Sequence, residues 1–528
     1  MIKKIFKYAS IIKKSLIFLK EENDFINHNK LIFNISNIKK NTVLVEINHM
    51  QSSHIAYSYM AKILTEMYDA KLVGYNPRKI SGFLNRLKYQ ISNYKLKRIY
   101  NSFGASKILD YQTNMINSLE VKKLYNDLIL KVNSKSDLEK LKYKNIWIGD
   151  LIYDEYLKTH LAATVDIKSD KFKKLMYEFA FLFLYWKEYF YKNNVKAVMI
   201  SHPCYFMGLP LRIANSKNIP SYLVTLRDVY YLNNEHPMPH REFQSFKQDF
   251  ENLENNIKEK AITEAKKKLD LRFKGEIAVD QPYMKASSYS ENYKTKKILN
   301  NKSKIKILIA PHSFSDNPHS KGISLFSDYY EWLKCLGELS NITNYEWYVK
   351  AHPGALKEDL KTIKDFVKNY PNVCFLDDTV SHHQLIDNGI NIVLTVYGSI
   401  ALEYAAKNIT VITAGNNPHI SYNFNIHPKS QKDFKEILMN LENYINADLF
   451  SDDVYKCYYM KHLDHRGDIF FNDYHAEIKK IGGYSEQFTP KMYKTWIGYC
   501  NKKINSEISE SLKKFIISKR YKLKSRRS

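Results

Sequence analysis

Cysteine and long apolar runs are both scarce in this sequence. No apolar run approaches the ~20 residues needed to span a bilayer, and residues 1–22 lack the apolar core and the small-residue cleavage site of a signal peptide. We therefore expect a cytoplasmic protein with reduced thiols and no disulfide framework. The five cysteines show no CxxC pair and no pairing pattern: Cys204, Cys335, Cys374, Cys457 and Cys500.

Metal-ligand motifs are missing as well. The chain has no DxD motif and no cluster of histidines and cysteines with ligand spacing. We accordingly predict neither a bound metal nor a cofactor. Internal repeats at a solenoid period are also absent, so we expect ordinary globular domains.

Acidic residues are outnumbered by basic ones, 55 against 81, which gives a formal net charge of +26. The excess is mainly lysine scattered along the whole chain. A diffuse basic surface favours anionic substrates and anionic lipid head groups. A nucleic-acid-binding protein would need basic residues clustered on one face with stacking aromatic side chains, or a recognisable motif, and we find neither. We keep that non-enzymatic alternative on charge alone and predict no nucleic-acid partner.

The order of predicted elements indicates an α/β protein with two Rossmann-like domains. At 528 residues the chain is too long for a single core. Short β-branched runs alternate with helical patterns in both halves. We divide the chain into a basic amphipathic segment (1–40), a first Rossmann-like domain (41–285), a linker (286–304), a second Rossmann-like domain (305–450), and C-terminal helices with a basic tail (451–528).

Both ends of the chain are basic. Residues 1–22 carry apolar side chains at helical spacing with lysines between them, a pattern typical of a helix that lies on a membrane surface. Packing of this helix on its own domain is an equal alternative. Lysines and arginines are also frequent in residues 513–528. A peripheral contact with an anionic membrane, on the inner face of the plasma membrane, is therefore one expected use of these segments.

Residues 391–430 form the clearest functional unit. An apolar run at 392–396 predicts a buried strand, after which Gly398 and Ser399 precede a helical stretch. The N-terminus of such a helix favours an anion, and Glu403 lies one turn along, placed to accept hydrogen bonds from ribose hydroxyls. The alternative for this unit alone is a simple N-cap followed by a solvated glutamate.

Two other strand ends strengthen the functional interpretation. His312 and Asp316 follow one predicted strand, and Lys350 and His352 end another. Parallel strands share one C-terminal edge, so these groups should converge there with Ser399. Such a set suits a phosphate, and a protonated His352 would stabilise a phosphate that leaves during the reaction.

A carboxylate beside a glycine is a further candidate. Asp150 follows Gly149 at the end of an apolar, strand-like run, from where it can project into a cleft as a general base. The alternative is a turn residue at the start of a helix, favoured by the helix dipole.

Several motifs together resemble a known family. The segments are APHSFSD, LFSDYYEWL, WYVKAHPG, TVYGSIALEYA and ITAGNNPHISY. In this order they resemble bacterial capsule and surface-polysaccharide glycosyltransferases of the GT-B fold, the capsular Kdo transferases in particular. The His-Pro pair also resembles the motif with which bacterial sialyltransferases bind the CMP phosphate. With IGDLIYDEYL and ISHPCYF upstream, the likeness covers residues 145–430.

The resemblance implies a GT-B-like fold, with two Rossmann-like domains facing across a cleft and additional helices at both termini. The second domain would bind a nucleotide-sugar donor, CMP- or UDP-linked, and the first a surface-polysaccharide or lipid-linked glycan acceptor. A CDP-alcohol polyol-phosphate transferase of the teichoic-acid type is the alternative. The residues expected to bind the nucleotide sugar are His312, Lys350, His352, Gly398, Ser399 and Glu403.

The resemblance also implies catalytic residues. They are His352 at the donor phosphate and Asp150 as the acceptor-activating base, with Asp316 as the second choice. The chain departs from sialyltransferases in lacking their acid-acid-Gly motif, because Gly149 and Asp150 reverse that order.

Overall fold

The computed structural model describes residues 16–33, 39–77, 89–91, 93–109, 111, 116–281, 284, 286–289, 298–300, 303, 305–445, 451–464 and 468–524. Half of the predicted N-terminal amphipathic segment (residues 1–15 and 34–38), most of the predicted linker and residues 525–528 of the basic tail lie outside these ranges.

Thirteen strands are described, and they form two larger sheets and one hairpin. In chain order they are β1 (Asn41–Glu46), β2 (Ala70–Tyr75), β3 (Lys107–Leu109), β4 (Lys142–Tyr143), β5 (Ile146–Trp147), β6 (Asn194–Ile200), β7 (Ser221–Val224), β8 (Val229–Leu232), β9 (Lys306–Ile309), β10 (Glu346–Lys350), β11 (Val373–Leu376), β12 (Ile392–Thr395) and β13 (Thr410–Thr413).

Both sheets have the Rossmann strand order. The first runs β3-β2-β1-β6-β7-β8, parallel except for β8 at its edge. The second runs β11-β10-β9-β12-β13 and is parallel throughout. In each, the order reverses beside the first strand, and such a reversal opens a crevice at the carboxyl ends of the strands.

The strands are apolar on both faces because helices cover both sides of each sheet. In the first sheet, Val43 packs into one core and its neighbour Leu44 into another on the opposite face. The second sheet repeats this with Ile307 and Leu308. Successive strand residues point to opposite faces, so a continuous apolar run is what such a strand requires.

The α-helices alternate with these strands and continue beyond them. They are α1 (Lys20–Ile32), α2 (Gln51–Met67), α3 (Tyr94–Ser102), α4 (Ser118–Ile129), α5 (Lys135–Glu139), α6 (Gly149–His160), α7 (Asp170–Lys192), α8 (Leu209–Ser216), α9 (Phe246–Glu251), α10 (Asn255–Phe273), α11 (Tyr329–Ser340), α12 (Lys357–Asn369), α13 (His382–Asp387), α14 (Ile400–Ala405), α15 (Gln431–Met439), α16 (Asp453–Tyr458), α17 (Tyr474–Lys480), α18 (Lys491–Tyr499) and α19 (Lys502–Ser518).

The C-terminal helices pack on the first domain. Trp496, Ile508 and Leu512 lie in the same core as Val43 of β1. After α19 the chain runs beside β8, where the Leu523 amide donates to the Val229 carbonyl at 3.0 Å. Strand β1 and the helices α18 and α19 therefore share one hydrophobic core.

The two Rossmann-like domains face each other across a cleft, in a GT-B-like architecture. Helix α6 of the first domain contacts the segment that follows β9 in the second. Its Tyr153 hydroxyl donates to Asp328 at 2.6 Å, and its Asp154 contacts the Nδ1 of His319 at 2.6 Å. Among the described helices, none combines the length and apolarity needed to cross a membrane.

One sequence-based interpretation near this contact is wrong. Asp150 does not follow a strand of either large sheet: β5 is a two-residue strand that pairs only with β4, and α6 begins at Gly149. A Cβ on Gly149 would lie 1.8 Å from the Leu138 carbonyl oxygen, so close backbone packing requires glycine here. Helix α6 is buried over most of its surface, and such a helix cannot be distinguished from a buried strand by apolar content alone.

Candidate functional site

The candidate site lies at the reversal point of the second sheet. His312 follows β9, Lys350 ends β10 and Gly398 follows β12, and these three strands are neighbours in the order β10-β9-β12. Their ends surround a cavity of about 120 Å³. The cavity is lined by all six residues predicted to bind the nucleotide sugar: His312, Lys350, His352, Gly398, Ser399 and Glu403.

The Lys350 ammonium group is the unusual feature of this cavity. The residue is 3% exposed, and its Nζ has no hydrogen-bond partner in the described part of the chain. Burial lowers the pKa of Lys350 to about 8, against the attraction of Asp378 and Asp377. A buried cation without a hydrogen-bond partner is costly, so an anion bound in this cavity would stabilise the protein.

His352 lies beside this lysine with one ring nitrogen already occupied. The Gly354 amide donates to its Nδ1 at 3.0 Å, so the neutral ring carries its proton on Nε2. Removal from water and the charge of Lys350 lower the pKa of His352. At neutral pH the free ring is therefore a neutral donor, whereas the sequence-based expectation was a protonated one.

His312 is fixed in the complementary tautomer. Its Nε2 accepts from the Tyr397 amide at 3.1 Å, which puts the proton on Nδ1, and its ring stacks on that of Tyr397 at 4.4 Å between centroids. Burial lowers the pKa of His312 to about 3, so this ring is also neutral. Each of the two neutral histidines therefore has one N–H donor, and Lys350 is the positively charged group among the three.

The stretch from Gly398 to Glu403 differs from the expected helix cap. Helix α14 has six residues, and Ser399 already has a helical φ of −61° without a side-chain capping bond. The Ser399 hydroxyl instead donates to Glu403 at 3.4 Å. The Glu403 carboxylate is also held by Arg272, which binds Asp280 at 2.7 Å. A ribose at Glu403 would therefore share the carboxylate with Arg272.

The lining residues that were not predicted from the sequence include Arg272, Asp280 and His382. His382 is buried, and its Nδ1 lies 2.8 Å from the Tyr404 hydroxyl. His382 is the first residue of α13, which follows β11, and the His382-His383 pair was a usable signal in the sequence. Arg272 lies among lysines in α10 and Asp280 follows that helix, so no local pattern distinguishes them.

Asp150, the first choice for the general base, does not line this cavity. The residue is 2% exposed, and its Oδ2 lies 2.5 Å from the Arg212 guanidinium. It occupies the first turn of α6, the alternative position considered from the sequence. Because this carboxylate is held in a buried ion pair, we do not retain it as the base.

Asp316, the second choice, has a different environment. The residue is exposed in the loop after β9. Its Oδ1 accepts from the Tyr205 hydroxyl of the first domain at 3.4 Å. Tyr205 itself has a φ of +56°, a conformation that a bulky residue rarely adopts. Asp316 is therefore a solvent-accessible carboxylate at the junction of the two domains.

No protein-family model matches the chain, and no curated protein matches it. Among solved structures, it is similar to the beta Kdo 2,4 transferase KpsC of Thermosulfurimonas dismutans, at 11% identity and a TM-score of 0.28, over 45% of this chain and 75% of that one. It is similar to a glycosyltransferase from Rickettsia africae ESF-5, at 12% identity and a TM-score of 0.24, over 91% and 100% of the two chains.

A third similar structure is the UDP-GlcNAc 2-epimerase from Neisseria meningitidis bound to UDP-GlcNAc, at 9% identity and a TM-score of 0.21, over 80% and 97% of the two chains. A Kdo transferase is thus among the solved structures to which this chain is similar. Identities and TM-scores this low assign no function, which has to be argued from the site itself.

Proposed function

We propose that this protein is a nucleotide-sugar-dependent glycosyltransferase whose donor phosphate binds at the reversal point of the second sheet. The observation that carries the proposal is the buried, unpartnered ammonium group of Lys350. A phosphate would provide the missing anion, and each charge-assisted hydrogen bond to it would contribute roughly 1.5–3 kcal/mol. The N–H groups of His312 and His352 line the same cavity and would complete the donor set.

In this proposal the site acts on the leaving group. As the bond between the sugar and the nucleotide breaks, negative charge develops on the departing phosphate, and donors held in place beforehand stabilise that charge. Lys350 would supply the positive charge and the Nε2–H of His352 a hydrogen bond. We propose that these side chains replace a metal ion in the reaction.

Asp316 is our proposed general base. It would accept the proton of the acceptor hydroxyl as that oxygen attacks the sugar. General-base catalysis typically contributes 10²–10⁴-fold, so Asp316→Asn should lower turnover by at least ~10²-fold without weakening nucleotide binding. Tyr205→Phe, which removes the hydroxyl that reaches Asp316, should have a smaller effect. Unchanged turnover in Asp316→Asn would remove this assignment and leave the donor site unaffected.

The donor and acceptor follow from the resemblance to capsule enzymes. We propose a CMP- or UDP-linked sugar as the donor and a surface-polysaccharide or lipid-linked glycan as the acceptor, with the basic chain ends in peripheral contact with an anionic membrane. A hydrolysis screen of nucleotide sugars and CDP-alcohols separates this from a polyol-phosphate transferase. Release of CMP from CDP-glycerol or CDP-ribitol alone would favour the latter.

The decisive experiment is a thermal-shift panel of CMP-, UDP-, GDP- and CDP-linked compounds, since a ligand that binds only the folded state raises its stability. We expect one nucleotide class to stabilise the protein and Lys350→Met to abolish that shift. Lys361→Met, on the exposed side of α12, is the matched control and should retain it. A full shift in Lys350→Met, or no shift with any nucleotide, would contradict the proposal.

A further inference from the structure

A second and larger cavity lies in the cleft beside the nucleotide site. Its volume is about 690 Å³, and its lining comes from three parts of the chain: the first domain after β7, the second domain around Lys321, and the C-terminal segment around Lys461. The Lys321 ammonium group lies 4.8 Å from the centre of the Tyr397 ring, and that ring stacks at 4.4 Å on the ring of His312, which lines the first cavity. The two cavities therefore adjoin.

Most charged groups in this second cavity already have partners. Lys522 lies 2.8 Å from Asp228 and 2.9 Å from Glu242. Lys524 lies 3.3 Å from Asp249. These pairs neutralise one another, and they also hold the end of the chain against the first domain.

Two lysines in the cavity are different. Neither Lys321 nor Lys461 has a carboxylate within ion-pair distance or a hydrogen-bond acceptor in the part of the chain that the structure describes, and both are half-buried. The Lys321 ammonium group lies over the ring of Tyr397, 4.8 Å from its centre. Both lysines line the same cavity, and burial together with the charge of Lys321 lowers the pKa of Lys461 to about 8.

The backbone that presents Lys461 is also unusual. The residue lies in a π-helical turn, Tyr459–Leu463, that continues α16. Such turns are rare and occur frequently at functional sites. Two like charges that line one cavity, neither of them in an ion pair with a described carboxylate, are an arrangement that favours a bound anion.

We propose, on the basis of the glycosyltransferase function above, that Lys321 and Lys461 bind an anionic group of the substrate other than the nucleotide's own phosphates. A carboxylate or phosphate on a sugar residue is the matching chemistry. The second cavity is large enough for sugar units, and its position beside the leaving-group site puts such an anion on the acceptor or on the transferred sugar.

The test uses the full chain, saturated with the nucleotide that gives the largest thermal shift. Glucuronate and glucose 6-phosphate are the anionic probes, and glucose is their neutral counterpart. We expect the two anions, but not glucose, to raise the melting temperature further. Lys461→Gln should weaken that anion binding by at least ~10-fold, corresponding to the loss of one charge-assisted hydrogen bond, and Lys321→Gln should act in the same direction.

Lys524→Gln is the matched control, because it removes the same charge from the same cavity but from a lysine that is already paired. It should change anion affinity by less than about 2-fold, as expected for an exposed ion pair. Equal anion binding in wild type, Lys321→Gln and Lys461→Gln would overturn the proposal, as would equal binding of glucose and glucuronate. Should Lys461→Gln fail to fold, Lys321→Gln provides the same comparison.

Two further measurements identify the source of the anion and separate this proposal from the previous one. If nucleotides with acidic sugars bind more tightly than those with neutral sugars, and Lys461→Gln removes the difference, the anion belongs to the donor sugar. If glucuronate binds alongside an intact donor, it belongs to the acceptor. Absence of any nucleotide shift, with lysine-dependent anion binding retained, would refute the proposed transferase and leave the anion site standing.

Discussion

The reversal points of the two sheets can be compared directly, because both lie beside the first strand of a Rossmann-ordered sheet. At the first, Glu46 is buried and accepts hydrogen bonds from the Ser201 amide at 2.7 Å and the Ser201 hydroxyl at 3.1 Å. At the second, Lys350 is equally buried, but its ammonium group has no such partner among the described residues. The protein therefore supplies hydrogen bonds to the Glu46 carboxylate but, among the described residues, none to the Lys350 ammonium group.

The same contrast separates two aspartates in or near the cleft. Asp150 is buried against Arg212, while Asp316 is exposed beside Tyr205. A carboxylate buried in an ion pair is already held by the protein, whereas an exposed one is accessible to a substrate. In both comparisons we propose that the group without an ion pair among the described residues is the functional one, and four substitutions test this proposal.

Asp150→Ala should have the largest effect on stability. It leaves the Arg212 guanidinium buried and unpaired, and breaking a buried pair in this way costs about 3–5 kcal/mol. Denaturant unfolding of the variant measures the loss. The double variant Asp150→Leu/Arg212→Met, which removes both charges, should lose much less. Near-normal stability of Asp150→Ala with abolished turnover would instead return Asp150 to the role of base.

Lys350→Met should stabilise the ligand-free protein below pH 8. Burial lowers the pKa of Lys350 from 10.5 to about 8. Between these values the unfolded chain holds a proton that the folded chain has released, so the unfolding free energy of the wild type should rise with pH in this window. Each unit of pKa change corresponds to about 1.4 kcal/mol. The advantage of Lys350→Met should be full at pH 7 and shrink towards pH 10.

Nucleotide affinity should follow the opposite trend, because the phosphate requires the charged ammonium group. The wild type should bind the stabilising nucleotide less tightly as the pH rises through 8. An advantage of Lys350→Met that is the same at every pH would mean that the pKa of Lys350 does not differ between the folded and the unfolded protein.

His352→Ala should weaken nucleotide binding with little effect on the fold. The ring is exposed and donates only through Nε2, so its removal costs one hydrogen bond to a charged group, roughly 1.5–3 kcal/mol or about 10–100-fold in affinity. Calorimetric titration measures this, and the ligand-free melting temperature should stay nearly unchanged. A large drop in that temperature would make the residue structural.

Ser201→Ala should give the smallest effect. It removes the hydroxyl group that donates a hydrogen bond to Glu46. The hydrogen bond from the Ser201 backbone N–H to the same carboxylate stays intact. A loss of about 1–3 kcal/mol in unfolding free energy is expected for a buried acceptor that loses one of its donors. A loss as large as that in Asp150→Ala would contradict the comparison, because it would mean that the remaining Ser201 amide bond does not satisfy the Glu46 carboxylate.

Strands β9, β12 and β13 of the second sheet could be predicted from sequence because each is a short β-branched run that is buried on both faces. The predicted strand at 305–310 lies at 306–309, and the one at 392–396 lies at 392–395. Parallel neighbouring strands have their carboxyl ends at the same edge of the sheet. For this reason His312 and Lys350, which lie at two such ends, could be expected in one cavity.

Other parts of the site depend on contacts between distant segments, which local patterns do not record. Edge strand β8 was missed because its sequence, VYYL, lies between loops and pairs antiparallel with β7. Arg272 reaches Glu403 across 131 positions of sequence. Asp150 was misjudged because its partner Arg212 is 62 positions away, and a paired carboxylate cannot be told from a free one in the sequence.

The packing of α18 and α19 against β1 has a consequence for how the protein is made. Trp496 and Ile508 complete a core that begins with residues near position 43, so the first domain stays unfinished until the ribosome has released almost the entire chain. The second domain has its own core and can close earlier, although it is translated later than most of the first. Shortening the C-terminus should therefore damage the N-terminal domain first, and a chaperone would be needed longest for the half that emerges first.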